Sequence, residues 1–137
     1  MIFKNLQLTS LFSFLLITLL LVSASSCQKQ PGKGGLATIS GKVYAYDYNN
    51  FGILVDSGYV ADERIFISYG GGESADDDVR SGINGEFKFE WLQKGDYALW
   101  VISDCDTCPL GQKIIKQTVT VSQRKQQIIL PDFIINI

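Results

Sequence analysis

Three short constellations in this chain have residue types and spacing that could do chemistry. Cys105-Asp106-Thr107-Cys108 is a CxxC, the spacing of thiol–disulfide exchange and of half a metal site. Asp76-Asp77-Asp78 offers carboxylate oxygens of the kind calcium takes. Tyr44, Tyr46 and Tyr48 recur every second residue, which on an extended strand places three phenol rings on one face. Such rings combine flat apolar area with a polar tip and suit stacking on sugar rings or docking to a partner protein. The chain contains no histidine. Ser-His-Asp and Cys-His catalysis and the usual histidine-containing zinc sites are therefore excluded within it.

Each constellation has a plainer reading. Redox CxxC pairs sit at a helix N-terminus, which lowers the thiol pKa. Here Pro109-Leu110-Gly111 follows and no helical pattern does. With Asp104 and Asp106 the only adjacent ligands, no four-ligand metal set is evident. The pair Cys105–Cys108 is expected to be a disulfide stapling the end of a strand. In the aspartate run, an extended backbone sends Asp76 and Asp78 one way and Asp77 the other. Calcium would need Asp56, Asp62, Glu63 or Glu73 from other loops, and the plainer reading is a solvated acidic loop guarding a strand edge. The tyrosines are a binding strip, which Phe51 and Tyr59 could extend, if the segment from Asn49 to Tyr59 leaves them open, and buried filler if it folds over them. No metal or other cofactor is expected.

A third cysteine, Cys27, has a different setting. Lys4 gives a weakly basic start, Leu8 to Val22 an apolar middle, and Ala24-Ser25-Ser26 the small residues of a cleavage site. The apolar stretch is interrupted by Thr9, Ser10, Ser13 and Thr18, and is shorter than the ~20 residues a spanning helix needs. The segment looks like a bacterial lipoprotein signal, with cleavage before Cys27 and a diacylglycerol, with palmitate-type acyl chains, on its thiol. Residues 1–26 are thus expected to be removed, and residues 27–36, rich in Gly and Lys with one Pro, to form a flexible tether. Lys4 is the only charge lost, so the net charge of −2 becomes one unit more negative. That balance gives no reason to expect a nucleic-acid partner.

From Ala37 to Ile137 the hydrophobic period is two. In Gly85-Glu86-Phe87-Lys88-Phe89-Glu90-Trp91, the residues Phe87, Phe89 and Trp91 share one face and the charges share the other. Asp96 to Ile102 is apolar on both faces, as in a central strand. Tyr97 and Leu99 are expected in the core with the three aromatic residues. Asn84-Gly85 signals a tight hairpin, and Lys94-Gly95-Asp96 and Gly70-Gly71-Gly72 are further breaks. Thr38–Asp47, Glu63–Tyr69, Ile114–Val121 and Gln127–Ile137 supply the remaining apolar runs. These runs predict an all-β fold, a single antiparallel β-sandwich over residues 37–137 with about seven strands.

The run Arg80-Ser81-Gly82-Ile83-Asn84-Gly85-Glu86-Phe87-Lys88-Phe89, with Leu92-Gln93-Lys94-Gly95-Asp96-Tyr97-Ala98-Leu99 after it, resembles the carboxypeptidase regulatory-like domain. Ile39-Ser40-Gly41-Lys42-Val43 is similar to that family's first strand, and the likeness extends over most of residues 37–121. It implies a seven-stranded, transthyretin-like (prealbumin-like) sandwich, and carries over no catalytic residue. Within that family the chain looks most like small lipoproteins of Gram-negative bacteria. The function expected is a non-enzymatic accessory or binding module, anchored to a membrane of the cell envelope, with the outer membrane expected, through the lipid on Cys27. Its expected partner is an envelope protein or glycan. A carbohydrate- or peptide-binding tyrosine face and a CxxC redox or metal-binding protein are the rival classes.

Overall fold

The computed structural model describes residues 30–137. The signal segment at 1–26 and the cysteine at 27 lie outside the described residues. Nine strands are assigned among those described: β1 (Lys33–Tyr48), β2 (Leu54–Tyr59), β3 (Arg64–Tyr69), β4 (Asp77–Arg80), β5 (Glu86–Leu92), β6 (Gly95–Asp104), β7 (Gln112–Val121), β8 (Gln127–Ile129) and β9 (Phe133–Asn136). They form two sheets. In the first, β1 is central. Its N-terminal half pairs with β5 on one side and β8 on the other, and its C-terminal half pairs with β2 and β9. The second sheet has the order β4-β3-β6-β7 and is antiparallel throughout.

The all-β expectation holds, and the strand count and uniform antiparallel pairing do not. Leu54–Tyr59 and Asp77–Arg80 are strands that the apolar pattern does not mark, because both are edge strands exposed on alternate residues or more. Gln127–Ile137 is two strands, split where Pro131 cannot donate to a ladder. Both run parallel to β1, so the first sheet is mixed.

The core lies between the sheets. Ile39, Val43, Phe87, Phe89, Phe133 and Ile135 of the first sheet meet Ile65, Ile67, Tyr97, Leu99, Val101 and Val121 of the second, all nearly without solvent contact. β6 is buried on both faces from Tyr97 to Val101, as its unbroken apolar run requires. Gly41 turns its bare Cα toward the Phe87 ring, and a Cβ there would come within 2.8 Å of the ring edge.

Two local expectations are corrected. Asn84-Gly85 does make a tight turn, with Gly85 at φ 73°. It joins no hairpin, because β4 pairs with β3 while β5 pairs with β1. The turn instead carries the chain from one sheet to the other. Trp91 is not in the core. Ala37 pairs with Leu92 and Ile39 with Phe89, so β1 has one residue between pairs where β5 has two. The surplus residue is a bulge. Trp91 takes φ 62°, its side chain is 62% exposed, and Leu92 occupies the buried place instead.

The start of the fold also differs. β1 begins at Lys33, inside the expected tether. The Gly32 N–H donates to the Tyr97 hydroxyl at 3.0 Å, and that hydroxyl donates to the Gln93 carbonyl at 2.8 Å. The Gln93 N–H in turn donates to the Gly32 carbonyl at 2.8 Å. Residues 32–36 are therefore held to the sandwich, and the composition that suggests flexibility is used for close approach. Gly35 lies against the Leu92 carbonyl where any Cβ would overlap it.

Candidate functional site

The three tyrosines lie together on the outer face of the first sheet. Val43, just before them, and Ala45, between Tyr44 and Tyr46, point into the core. Tyr44 and Tyr46 pack edge to face with ring centroids 5.4 Å apart, and Tyr46 meets Tyr48 at 6.4 Å. A fourth ring, Tyr59, sits directly across from Tyr44 in the β1–β2 register and packs on it at 5.3 Å, again edge to face. The four rings make one continuous ridge. Edge-to-face contact of this kind adds about 0.5–1.5 kcal/mol per pair beyond area burial.

The segment after β1 does not cover the ridge. The Asn49 side chain accepts hydrogen bonds from the Phe51 and Ile53 N–H groups at 2.9 and 3.0 Å and closes a turn. The chain then returns as β2, beside β1 in the same sheet. Tyr48 remains 43% exposed, Tyr59 46%, and Tyr44 and Tyr46 are half-buried only by one another and their neighbours. Leu54, opposite Tyr48, and Ile134, opposite Tyr44 on β9, are exposed and widen the apolar surface.

Polar groups border the rings. The Tyr59 hydroxyl donates to Asp132 Oδ2 at 3.0 Å, and Lys42 Nζ stands 4.5 Å from the centre of the same ring. The Asp132 hydrogen bond holds the Tyr59 phenol above its ordinary pKa, with the carboxylate's negative charge adding to the effect. The Tyr44 hydroxyl donates to Ser57 Oγ at 3.2 Å. At the far end a polar hollow opens between the β1–β2 turn and the β6–β7 loop, lined by Asp47, Asn49, Asp104, Asp106 and Asn136 beside Tyr48. The arrangement offers stacking area flanked by hydrogen-bonding groups.

The other two constellations are a closed disulfide and a set of hydrogen-bonded or ion-paired carboxylates. Cys105 and Cys108 are joined in a disulfide within the β6–β7 loop. The Cys105 N–H bonds the Gly111 carbonyl at 2.8 Å, and β7 rather than a helix follows. The aspartate run does not converge. Asp76 Oδ2 accepts from the Tyr69 N–H at 2.7 Å, Asp77 pairs with Lys33 at 2.6 Å, and Asp78 faces Arg64 at 3.5 Å. Of the carboxylates that might have joined them, Asp62 pairs with Arg80. Among the described residues no three metal-ligating side chains come together in a cation site.

No family model matches the chain, and no curated protein does. Among solved structures it is similar to a crystal structure, at 2.61 Å resolution, of a Pseudomonas aeruginosa protein provisionally described as carbohydrate binding. The two share 15% sequence identity over 73% of this chain and 90% of that one, with a TM-score of 0.41. So loose a likeness carries neither fold nor function across. The sequence suggested Tyr59 as an extension of the strip, and the β1–β2 register places it there, but it gave no sign of Leu54 and Ile134 as parts of the ridge. They come from two further strands, and only the pairing of β2 and β9 with β1 brings them to the tyrosines.

Proposed function

We propose that this protein is a non-catalytic glycan-binding module held at the cell envelope by a lipid on Cys27. The single observation that carries the binding role is the open ridge of Tyr44, Tyr46, Tyr48 and Tyr59. A sandwich that served only as a spacer would gain nothing from leaving four aromatic rings and two aliphatic side chains on an outer face, where contiguous apolar surface is an aggregation hazard. The ridge is narrow and bordered by Ser57, Asp132, Lys42 and the tyrosine hydroxyls. Sugar rings present the same combination in reverse, an apolar C–H face rimmed by hydroxyls. A protein partner would be better matched by a broad, dry patch with fully buried anchors.

The lack of histidine, which excludes Ser-His-Asp and Cys-His catalysis within the chain, supports the non-catalytic part of this reading. The anchor rests on the small residues leading into Cys27 at the end of the apolar segment. The binding role is tested by affinity electrophoresis of the mature protein through a panel of envelope and capsular polysaccharides. Retardation by at least one glycan, lost in Tyr46→Ala, is the result expected. Free migration through every gel, with capture of an envelope protein instead, would replace the glycan with a protein partner.

A further inference from the structure

We infer that the end of the sandwich bearing Trp91 lies against the membrane surface, with Trp91 in the interface and Lys94, Arg124 and Lys125 over anionic head groups. The inference rests on the lipid-anchor reading of Cys27 and adds an orientation to it. The Pro31 ring packs against Gly95, and Gly32 is tied to Tyr97. Only three residues, Gln28 to Gln30, separate Cys27 from Pro31, a reach of about 14 Å over four fully extended steps. A domain leashed that closely cannot stand clear of the lipid from which it hangs. The end from which the leash emerges must face it.

That end has the side chains such a surface would take. The Lys33–Leu92 pairing brings the start of β1 beside the end of β5. Gly34, Gly35, Leu92, Gln93, Lys94 and Arg124 line one shallow hollow there. Lys94, Arg124 and Lys125 form no ion pair among the described residues. Trp91 stands at the same end, largely exposed and held in a left-handed backbone conformation that a bulky residue rarely adopts. Leu36 is exposed close by in sequence to the Gly34–Gly35 wall. Exposed Trp with unpaired Lys and Arg is the composition of an interfacial contact with anionic lipid. The carboxylates Asp47, Asp104 and Asp106 lie around the opposite hollow, beyond the C-terminal end of β1. From Lys33 to Tyr44 the strand spans about 35 Å, so this orientation carries the tyrosine ridge away from the bilayer.

The test uses the full processed protein, purified in detergent and reconstituted into phosphatidylethanolamine–phosphatidylglycerol vesicles with brominated acyl chains. The mass of the N-terminal peptide is read on the same sample. The expected result is a lipid on Cys27, quenched tryptophan emission, and loss of the quenched component in Trp91→Phe, leaving the buried Trp100. Reversing the three charges (Lys94→Glu, Arg124→Glu, Lys125→Glu), or adding 0.5 M salt, should lower the quenched fraction severalfold. A lipidated protein whose emission is unquenched, or is quenched equally in Trp91→Phe, overturns the orientation and leaves the anchor standing. A Cys27 without lipid overturns the anchor and the orientation with it.

Discussion

The Tyr97 hydroxyl accepts a hydrogen bond from the Gly32 N–H across 65 residues of sequence and donates one to the Gln93 carbonyl. This one side chain ties the start of β1 to the segment between β5 and β6. Burial and its loss of solvation hold the Tyr97 phenol above its ordinary pKa, against the lowering pull of the Gly32 and Gln93 backbone groups. Tyr97→Phe keeps the ring in the core and removes the bridge. It should cost about 1–3 kcal/mol, the penalty for stranding buried backbone groups. Urea melts measure the loss, and faster amide exchange at Gly32 and Gln93 with little change at Leu99 would localise it.

The bulge at Glu90–Trp91 predicts a contrast between two aromatic residues two positions apart. Phe89 is buried, so Phe89→Ala should cost about 3–5 kcal/mol. Trp91→Ala removes an exposed ring from a strained position and should change stability by less than about 0.5 kcal/mol. Equal losses in chemical denaturation would show that the alternation from Phe87 continues through Trp91 after all.

The Lys33–Asp77 pair gives a pH dependence. The hydrogen bond from Lys33 is the largest influence on Asp77 and holds its carboxyl below the usual aspartate range. A depressed carboxyl contributes stability that is present above its unfolded pKa of roughly 3.9 and lost as pH falls through the lower folded value. Asp77 reciprocally raises Lys33, whose contribution persists below roughly pH 10.4 and fades above it. The wild type minus Asp77→Asn difference in urea midpoint should therefore be flat near neutrality and shrink below about pH 4. The Lys33 ammonium is largely exposed, so solvent screens the pair and the effect should be small.

The disulfide closes a very small loop. By the chain-entropy argument its removal costs on the order of 2 kcal/mol, less if residues 105–111 keep their hairpin hydrogen bonds. Cys105→Ser with Cys108→Ser should fold and should retain any ligand affinity within a factor of about three. Insulin reduction by the wild type above background would contradict a purely structural pair.

Much of this was legible in the sequence where the period of two is strict. Thr38 to Tyr48 and Glu86 to Phe89 show their faces without help, and Tyr97 to Val101 shows itself as a doubly buried strand. The reading failed where backbone geometry breaks the period, as at Trp91, since a bulge leaves no mark in hydrophobic spacing. It failed also where partners are set by topology. Asn84-Gly85 encodes a tight turn, but nothing local says that the strands on its two sides join different sheets. Glycines at 32, 34 and 35 look like a tether because flexibility and close backbone approach call for the same residue. The ridge was half legible for that reason: three tyrosines follow from spacing, and Tyr59 requires the β1–β2 register.

The measurement that bears most directly on the central claim is the affinity of the mature protein for a glycan retained in the polysaccharide panel, titrated calorimetrically for wild type, Tyr46→Ala and Tyr48→Ala. Truncating a ring at the centre of a stacking surface should cost more than about 1 kcal/mol of binding, a loss of roughly fivefold or greater. Because both rings lie on the outer face, both variants should stay folded, with Tyr46→Ala losing about 0.5–1.5 kcal/mol with its contact to Tyr44. Affinity that survives both substitutions in folded protein would contradict the ridge as the binding surface.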